Sequence, residues 1–348
     1  ALPFIISGSI PHPIDAIFET VSGFTTTGAS ILSDVEALSH CMLIWRSFTH
    51  WIGGMGVLVF ILCLLPLTGG YHMNLMKAES PGPSVSKLVP KVQSTAKILY
   101  TIYIILTIVE IIFLLIGKMP LFDTLCLSFG TAGTGGFGIK NDSIASYSTY
   151  NQVVITVFMI LFGINFNAYY LLLTKKVMQA AKNEEVRYYL GIIGLAIVAI
   201  AINTREMFTS FGRAFQQAAF QVGSIITTTG YATTDFNVWP VFSKTILVIL
   251  MFVGACAGST GGGIKVSRLL ILCKSARKEL QLYLHPNAVK KIKMDDKAIP
   301  HEVVRATNMF LFVYIMIFVI SLLIISLDNL DMVSNFTAIA ATLNNIGP

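Results

Sequence analysis

The chain contains six apolar stretches close to the length that a helix needs to cross the hydrocarbon of a membrane. Against a requirement of roughly 20 residues, they lie at residues 43–67, 98–117, 152–174, 188–203, 241–257 and 304–327. Only 12% of the 348 residues are charged, whereas soluble domains carry about 25%. The sequence therefore predicts a helical membrane protein. It excludes a soluble enzyme, a disordered chain and a nucleic-acid-binding protein.

Four shorter apolar segments lie between the long ones, at residues 13–28, 121–135, 209–230 and 331–347. Each ends in a Thr- or Asn-rich run that contains glycine. They are too short and too polar to span the membrane, so we expect each to enter halfway as a helix and to turn back. Irregular backbone at that depth is tolerated only where protein or a water-filled cavity surrounds it.

Basic residues are distributed unevenly between the connecting segments. Segments 68–97, 175–187 and 258–305 contain eighteen of the 24 Lys and Arg residues and carry a net charge of +11, whereas the opposite side carries −4. Because cytoplasmic loops are rich in Lys and Arg, we expect these three segments inside and the short segments to enter from outside. An acidic outer face would attract cations, although ordinary solvated loops would also explain it.

The ends of the short segments form an internal repeat that predicts a cation pathway. The aligned glycines are 107, 95 and 117 residues apart: Gly28, Gly135, Gly230 and Gly347. Four such units can line one axis, where rings of backbone carbonyls replace the hydration shell of a cation. Glycine permits the unusual backbone angles and close approach that this requires, and the negative C-terminal helix ends favour a cation.

The predicted ion-binding residues are those of the four loops. They are Thr25, Thr26, Thr27 and Gly28; Thr131, Ala132, Gly133, Thr134 and Gly135; Thr227, Thr228, Thr229 and Gly230; and Asn344, Asn345, Ile346 and Gly347.

A second glycine cluster interrupts what would otherwise be one span from about residue 241 to 273. Glycine costs about 1 kcal/mol per residue in a helix, so we expect the helix to break here and the loop to line a cavity on the cytoplasmic side of the third repeat. Lys265 either brings positive charge to the inner vestibule or extends to the membrane interface. The predicted loop residues are Gly254, Ala255, Cys256, Ala257, Gly258, Ser259, Thr260, Gly261, Gly262, Gly263 and Lys265.

These motifs are similar to those of the Trk/Ktr/HKT superfamily of cation uptake proteins, most closely to its bacterial Trk-type potassium-translocating subunits. The similarity rests on the TTTG and TxxTGG loops and on residues 254–265 and 343–348, and it extends to the segment 77–83. It implies an all-α polytopic membrane fold in which four pseudo-repeated helix–pore loop–helix units surround one central pore, as in potassium channels.

The resemblance also implies roles for the two sets of residues. The aligned glycines would be those of a selectivity filter that binds potassium at its carbonyls only, and the 254–263 loop would be a gate. Sodium-permeable plant relatives often carry serine at the first filter position, so Gly28 indicates potassium.

The resemblance further implies a homodimer in the bacterial cytoplasmic membrane. The expected partners are membrane lipid and a cytoplasmic TrkA-like ring that binds a regulatory nucleotide. No cofactor is expected in this chain, and no nucleic-acid partner.

We expect four units, at residues 1–67, 98–187, 188–281 and 304–348. Residues 68–97 and 282–303 would be cytoplasmic connections. On this division the first unit lacks most of its leading helix and the fourth stops within its filter, which would make the chain a fragment of the pore.

Two other functions fit the sequence less well. A sodium-selective or sodium-coupled transporter would share the fold, and cation selectivity would distinguish it. A polytopic membrane enzyme would need an intramembrane nucleophile, an Asp pair or a metal motif, and Glu110 is the only acidic residue well inside a predicted span. We therefore do not expect an enzyme.

Overall fold

The computed structural model describes residues 1–56, 92–285 and 291–347, with the backbone alone for 92–95. The first seven helices are α1 (Leu2–Ile6), α2 (Pro13–Phe24), α3 (His40–Gly54), α4 (Val92–Ile116), α5 (Leu121–Gly133), α6 (Thr149–Phe162) and α7 (Phe166–Leu173). The next seven are α8 (Val177–Ala181), α9 (Glu184–Asn203), α10 (Phe211–Ile226), α11 (Val241–Val253), α12 (Val266–Leu284), α13 (His301–Ile325) and α14 (Met332–Leu343). A small antiparallel hairpin, β1 (Lys293–Met294) and β2 (Lys297–Ala298), precedes α13.

Several predicted features lie outside the described residues. These are the second half of the 43–67 stretch, the 77–83 motif, most of the 68–97 connection, residues 286–290 of the second connection, and Pro348.

Three helices in the described part of the chain are long and apolar enough to cross a membrane: Ala96–Ile116, Glu184–Asn203 and His301–Asp328. The last is the least buried of the three, with 6% of its apolar window inside the protein. Apolar side chains exposed along such a helix are expected where lipid is the solvent.

The four short segments form helices of 12 to 16 residues, namely α2, α5, α10 and α14. Their starts carry the signals of a helix N-terminus. Pro13 occupies the first turn of α2 and Pro120 precedes α5. Ser210 and Asp331 accept hydrogen bonds from the backbone N–H groups of Arg213 and Ser334, which satisfies donors that have no partner within the helix.

The 152–174 stretch is not the continuous span that its apolarity predicts. α6 ends at Phe162, α7 begins at Phe166, and the two helix axes are bent by 90°. Asn165 is the N-cap of α7 and accepts a hydrogen bond from the Asn167 N–H group. The prediction failed because the hydropathy of this stretch stays high across the break, while its cause is a polar cap at one position.

The helices pack closely from one short segment to the next. α3 packs against both α2 and α5, α5 packs against α4 and α6, and α10 packs against α6, α9 and α11. Two large clusters of buried apolar side chains result, one around Tyr103 and Phe162 and the other around Tyr189 and Ile226. This packing brings the C-terminal ends of the four short helices together.

Candidate functional site

The four short helices end in the same backbone conformation. One N–H group in each donates to the carbonyl oxygen five residues earlier, at 2.8–2.9 Å: Thr27 to Ser22, Gly135 to Gly130, Thr229 to Ser224 and Ile346 to Ala341. The residue before each donor has a left-handed backbone, with φ between 52° and 60°: Thr26, Thr134, Thr228 and Asn345. This is the Schellman ending of a helix. Its recurrence identifies equivalent positions in the four loops independently of their sequences.

Threonine is an unusual residue at the left-handed position of this ending. Glycine or asparagine normally occupies it, because a β-branched side chain there is strained. In the first two loops the threonine hydroxyl donates to the preceding carbonyl, Thr26 to Thr25 and Thr134 to Gly133, each at 2.7 Å. The strain, of order 1–3 kcal/mol per residue, is therefore held by the surrounding packing.

The sequence alignment of the second loop was wrong by one residue. The glycine after each Schellman donor has φ between 78° and 85°, and these glycines are Gly28, Gly136, Gly230 and Gly347. Gly135 corresponds to Thr27 instead. The shift arises because α5 extends to Gly133, so that Thr131 and Ala132 lie within the helix. We call residues 25–28, 133–136, 227–230 and 344–347 glycine loops 1 to 4.

Neighbouring glycine loops meet through their backbones in a closed ring. A Cβ atom added to each glycine would lie within 3 Å of a carbonyl oxygen of the next loop: Gly28 against Gly135 at 2.1 Å, Gly136 against Thr229 at 1.9 Å, Gly230 against Ile346 at 1.9 Å, and Gly347 against Thr27 at 2.9 Å. The contacts run from loop 1 to 2, 3, 4 and back to 1. We call Thr27, Gly135, Thr229 and Ile346, the residues that supply these oxygens, the carbonyl ring.

A buried ion pair holds the chain just beyond the ring in loops 1 and 2. The Arg46 Nε atom donates to Glu19 Oε1 at 2.7 Å, and both side chains are at most 2% exposed. Glu19 also accepts from the Ser30 hydroxyl at 3.0 Å and from the Ile31 N–H group at 3.1 Å. Arg46 donates to the Gly138 carbonyl at 3.3 Å. The pair therefore joins the segments that follow Gly28 and Gly136.

The segments that follow glycine loops 1 and 2 are also joined at the surface. The Asn141 side chain donates to Asp34 Oδ1 at 2.8 Å and accepts from the Val35 N–H group at 2.9 Å. The hydrogen bond from Asn141 holds the pKa of Asp34 below its usual value, because it favours the charged carboxylate. An ionised acid therefore stands in this exposed segment.

The glycine-rich loop 254–263 lies directly against glycine loops 3 and 4. It separates Val253, the end of α11, from Val266, the start of α12. The Gly262 N–H group donates to the Thr228 hydroxyl at 2.6 Å. Cβ atoms added to Gly261 and Gly262 would lie 2.8 Å from the Thr227 carbonyl oxygen and 2.5 Å from that of Asn344. No larger residue fits in this contact without movement.

The two broken helices satisfy each other's backbone. The Cys256 N–H group donates to the Gly163 carbonyl at 3.0 Å, and the Phe166 N–H group donates to the Gly258 carbonyl at 2.9 Å. Lipid offers no partners for such groups, so breaks in two spans are tolerated only where protein surrounds them. The bend between α6 and α7 is therefore part of the support of the 254–263 loop.

Lys265 stays within this region. Its ammonium group donates to the Gly261 carbonyl, and the residue is 4% exposed. Of the two positions open from the sequence, the structure therefore contradicts extension to the membrane interface.

Comparisons with known proteins agree with this architecture. A family model described as TrkH, cation transport protein, matches residues 2–195 and 189–348. The Trk system potassium uptake protein TrkH of Salmonella typhimurium is 37% identical over 354 residues, covering 100% of this chain and 73% of that protein. TrkG of Escherichia coli is 34% identical over 343 residues, covering 96% and 70%. The crystal structure of the potassium transporter TrkH from Vibrio parahaemolyticus matches with a TM-score of 0.85 and 34% identity, covering 96% of this chain and 69% of that one.

The chain belongs to the TrkH family of cation transport proteins.

Membership of the TrkH family confirms two predictions from the sequence. The fold is that of an all-α polytopic membrane protein, and the family consists of transport proteins, so the chain is not an enzyme. The remote alternative of a membrane enzyme is thereby excluded.

Sequence reasoning missed residues that shape this site in the TrkH-family chain. Arg46 lies in a predicted span and Glu19 in a predicted re-entrant helix, and neither belongs to a repeated motif. A charged residue at membrane depth is costly unless it is paired, and that rule would have marked both. Gly135 and Gly136 are adjacent, and either can be aligned with Gly28 by sequence. The positive φ of Gly136 identifies it as the equivalent residue.

Alanine at Gly230 should lower the stability of the protein. Its Cβ would lie 1.9 Å from the Ile346 carbonyl oxygen at a φ of +85°, so two backbones must move apart. We expect the free energy of unfolding to fall by about 1–3 kcal/mol. Denaturation in detergent measures it. Gly191→Ala is the control, because nothing lies within 4 Å of its Cβ position. Equal behaviour of the two variants would contradict the ring contact.

Breaking the buried ion pair should be far more harmful than breaking an exposed one. Glu19→Gln leaves Arg46 without its charged partner, and we expect a loss of about 3–5 kcal/mol in unfolding free energy. The matched control is Glu206→Gln, which removes the ion pair between Glu206 and Arg205. The side chain of Arg205 is 64% exposed and that of Glu206 is 84% exposed. Exposed pairs contribute about 0–1 kcal/mol. A similar shift in the denaturation midpoint for both variants would refute this role.

Proposed function

We propose that the chain forms the pore of a potassium uptake system in the bacterial cytoplasmic membrane, with the carbonyl ring as its selectivity filter. The observation that carries the proposal is the closed contact of four glycine loops, each supplying an oxygen from the same backbone position. Such a ring can replace the hydration shell of a cation.

The electrostatics of the short helices favour a cation at the same place. All four end directly at a glycine loop: at Phe24, Gly133, Ile226 and Leu343. The C-terminal end of a helix carries a partial negative charge. Four such ends around one point make a positive ion the preferred occupant, without any charged side chain in the ring.

Potassium is the ion that the relatives support. The matched proteins of Salmonella typhimurium and Escherichia coli are named potassium uptake proteins, and the matched crystal structure is that of a potassium transporter. Gly28 at the first position is consistent with the same ion, as the resemblance to the superfamily implies. Sodium as the conducted ion is the alternative that a selectivity measurement decides.

Serine at Gly28 should reduce the preference for potassium over sodium. The added Cβ would lie 2.1 Å from the Gly135 carbonyl oxygen, so an oxygen of the ring must be displaced and the size of the site must change. We expect the ratio of potassium to sodium flux into proteoliposomes containing the full natural chain to fall about tenfold, equivalent to about 1.4 kcal/mol.

Gly191→Ser, at an exposed position of α9, is the matched control, since its Cβ position is open. If Gly28→Ser keeps the selectivity of the unmodified protein, the assignment of the ring as the filter fails.

We propose that the 254–263 loop is the gate. It contacts Thr227, Thr228 and Asn344, the residues of glycine loops 3 and 4 that lie nearest the helix ends. Because the charge distribution predicts that the short helices enter from outside, this supports a position on the cytoplasmic side of the filter. Glycine-rich backbone held by few side chains can move without repacking a core.

Removal of residues 258–262 should raise ion flux. The deletion takes away Gly261 and Gly262, which touch the glycine loops, and leaves the ring and both flanking helices in place. We expect at least a tenfold increase in rubidium flux into proteoliposomes, equivalent to about 1.4 kcal/mol. A folded deletion protein, checked by size-exclusion chromatography, with unchanged flux would eliminate the loop as a gate.

The division into units and the partners are proposals of the same kind. We propose four pore units at residues 1–67, 98–187, 188–281 and 304–348. We also propose a homodimer and a cytoplasmic TrkA-like nucleotide-binding ring. The names of the relatives refer to a Trk system, which supports a system of several components. The basic segments 77–97 and 274–297 are suited to contact either such a ring or anionic lipid.

A further inference from the structure

One buried carboxylate outside the loop contacts the backbone on both sides of residues 258–263. Glu185 lies in the first turn of α9 and is 3% exposed. Its Oε1 atom accepts hydrogen bonds from the N–H group of Ala257 at 2.6 Å and from that of Ser267 at 3.1 Å. Its Oε2 atom accepts from the Asn165 side-chain amide at 3.3 Å. The carboxylate thus joins the loop, the start of α12 and the break before α7.

The two backbone donors flank the part of the loop that touches the glycine loops. Ala257 precedes and Ser267 follows the contact between Gly262 and Thr228. Since a single oxygen atom accepts from both donors, it fixes the separation of the two sides of the loop. Displacement of residues 258–263 from the ring therefore strains or breaks the bond between Ala257 and Glu185.

The charge of the carboxylate matters for this bond. Hydrogen bonds to an ionised acceptor are shorter and roughly twice as strong as those between neutral groups, and the 2.6 Å distance to Ala257 is of that kind. A buried carboxylate is costly unless donors surround it. Here the donors come from three elements, the loop, the start of α12 and the break before α7, and all three meet around the carboxylate while the loop lies against the ring. Their assembly therefore favours this position of the loop.

We propose that Glu185 is a positioning residue that latches the 254–263 loop in its closed position, and thereby sets the equilibrium between closed and open pore. This inference rests on the proposed role of the loop as the gate. The hydrogen-bond partners of Glu185 are Asn165, Ala257 and Ser267, none of which belongs to the carbonyl ring. Its effect is exerted through Ala257 and Ser267.

Glu185→Gln and Glu184→Gln form a matched pair of tests. Glutamine at 185 retains one acceptor oxygen but loses the charge. Its amide NH₂ group then faces the Asn165 side-chain amide, which is itself a donor. The neighbouring Glu184 is about one-third exposed and pairs with Lys274 instead. We expect basal rubidium flux into proteoliposomes containing the full natural chain to rise about tenfold for Glu185→Gln, equivalent to about 1.4 kcal/mol. Glu184→Gln should leave the flux unchanged.

An increase in flux separates a latch from a merely structural residue. Loss of a structural residue lowers both stability and flux, whereas loss of a latch raises the flux of a folded protein. Should Glu185→Gln fail to fold, Glu185→Asp replaces it. Aspartate keeps the charge but is too short to reach both donors, and the expected change has the same direction. A folded variant at position 185 with unchanged or reduced basal flux overturns the proposal.

A double-variant cycle separates this inference from the proposed gate. In the protein lacking residues 258–262, Glu185→Gln should cause no further rise, because the segment that it restrains is gone. If the deletion alone raises flux and Glu185→Gln alone does not, the gate stands and the latch is refuted. If the deletion has no effect, the gate itself is refuted. Additive effects of the two changes would also refute the latch.

Discussion

The four glycine loops approach one another so closely that no Cβ atom fits between them. The helices around them hold the loops in this contact. The glycines of loops 2 and 3 leave only 1.9 Å between an imagined Cβ and the oxygen of the next loop. The contact needs a positive φ at each glycine and a Schellman ending before it. Short helices that stop at the same depth are the simplest way to deliver four such endings to one point.

The surroundings of the ring differ from loop to loop, although its four members occupy equivalent backbone positions. Between loops 1 and 2 the segments beyond the glycines are held by the buried Glu19–Arg46 pair. On the other side, loops 3 and 4 meet the backbone of Gly261 and Gly262. The four oxygens therefore have a charged support on one side and a glycine-rich backbone contact on the other.

Breaks in two apolar helices place unpaired backbone groups close to glycine loops 3 and 4. The ends of α6 and α11 leave carbonyl and N–H groups that lipid cannot satisfy. Two backbone hydrogen bonds join the breaks, from Cys256 to Gly163 and from Phe166 to Gly258. The Glu185 carboxylate accepts hydrogen bonds from two further N–H groups. Because the two breaks supply each other's hydrogen-bond partners, a change of conformation at one of them removes partners from the other.

Local composition predicted a large part of this fold. The apolar runs and the low charge identified a membrane protein, and the polar, glycine-containing ends marked the short helices α2, α5, α10 and α14. Seven Gly or Ala residues between 254 and 263 predicted that no helix would continue there, and none does between Val253 and Val266. Each of these features depends on the residues of one segment and can be read without knowing its neighbours.

Tertiary structure decided the features that depend on contacts between segments. The sequence contains both Gly135 and Gly136, and only the hydrogen bond from Gly135 to Gly130 shows which of them faces the next loop. The bend at Asn165 and the pairing of Glu19 with Arg46 join residues whose partners lie far along the chain or across a break. The sequence alone determined the membrane environment, the four short helices and the presence of a glycine-containing ending on each, because these follow from hydropathy and backbone preference. The closed ring and its supports followed only from packing. A hydrogen bond between distant segments produces no periodic pattern and no change of composition in either segment, so the sequence does not reveal it.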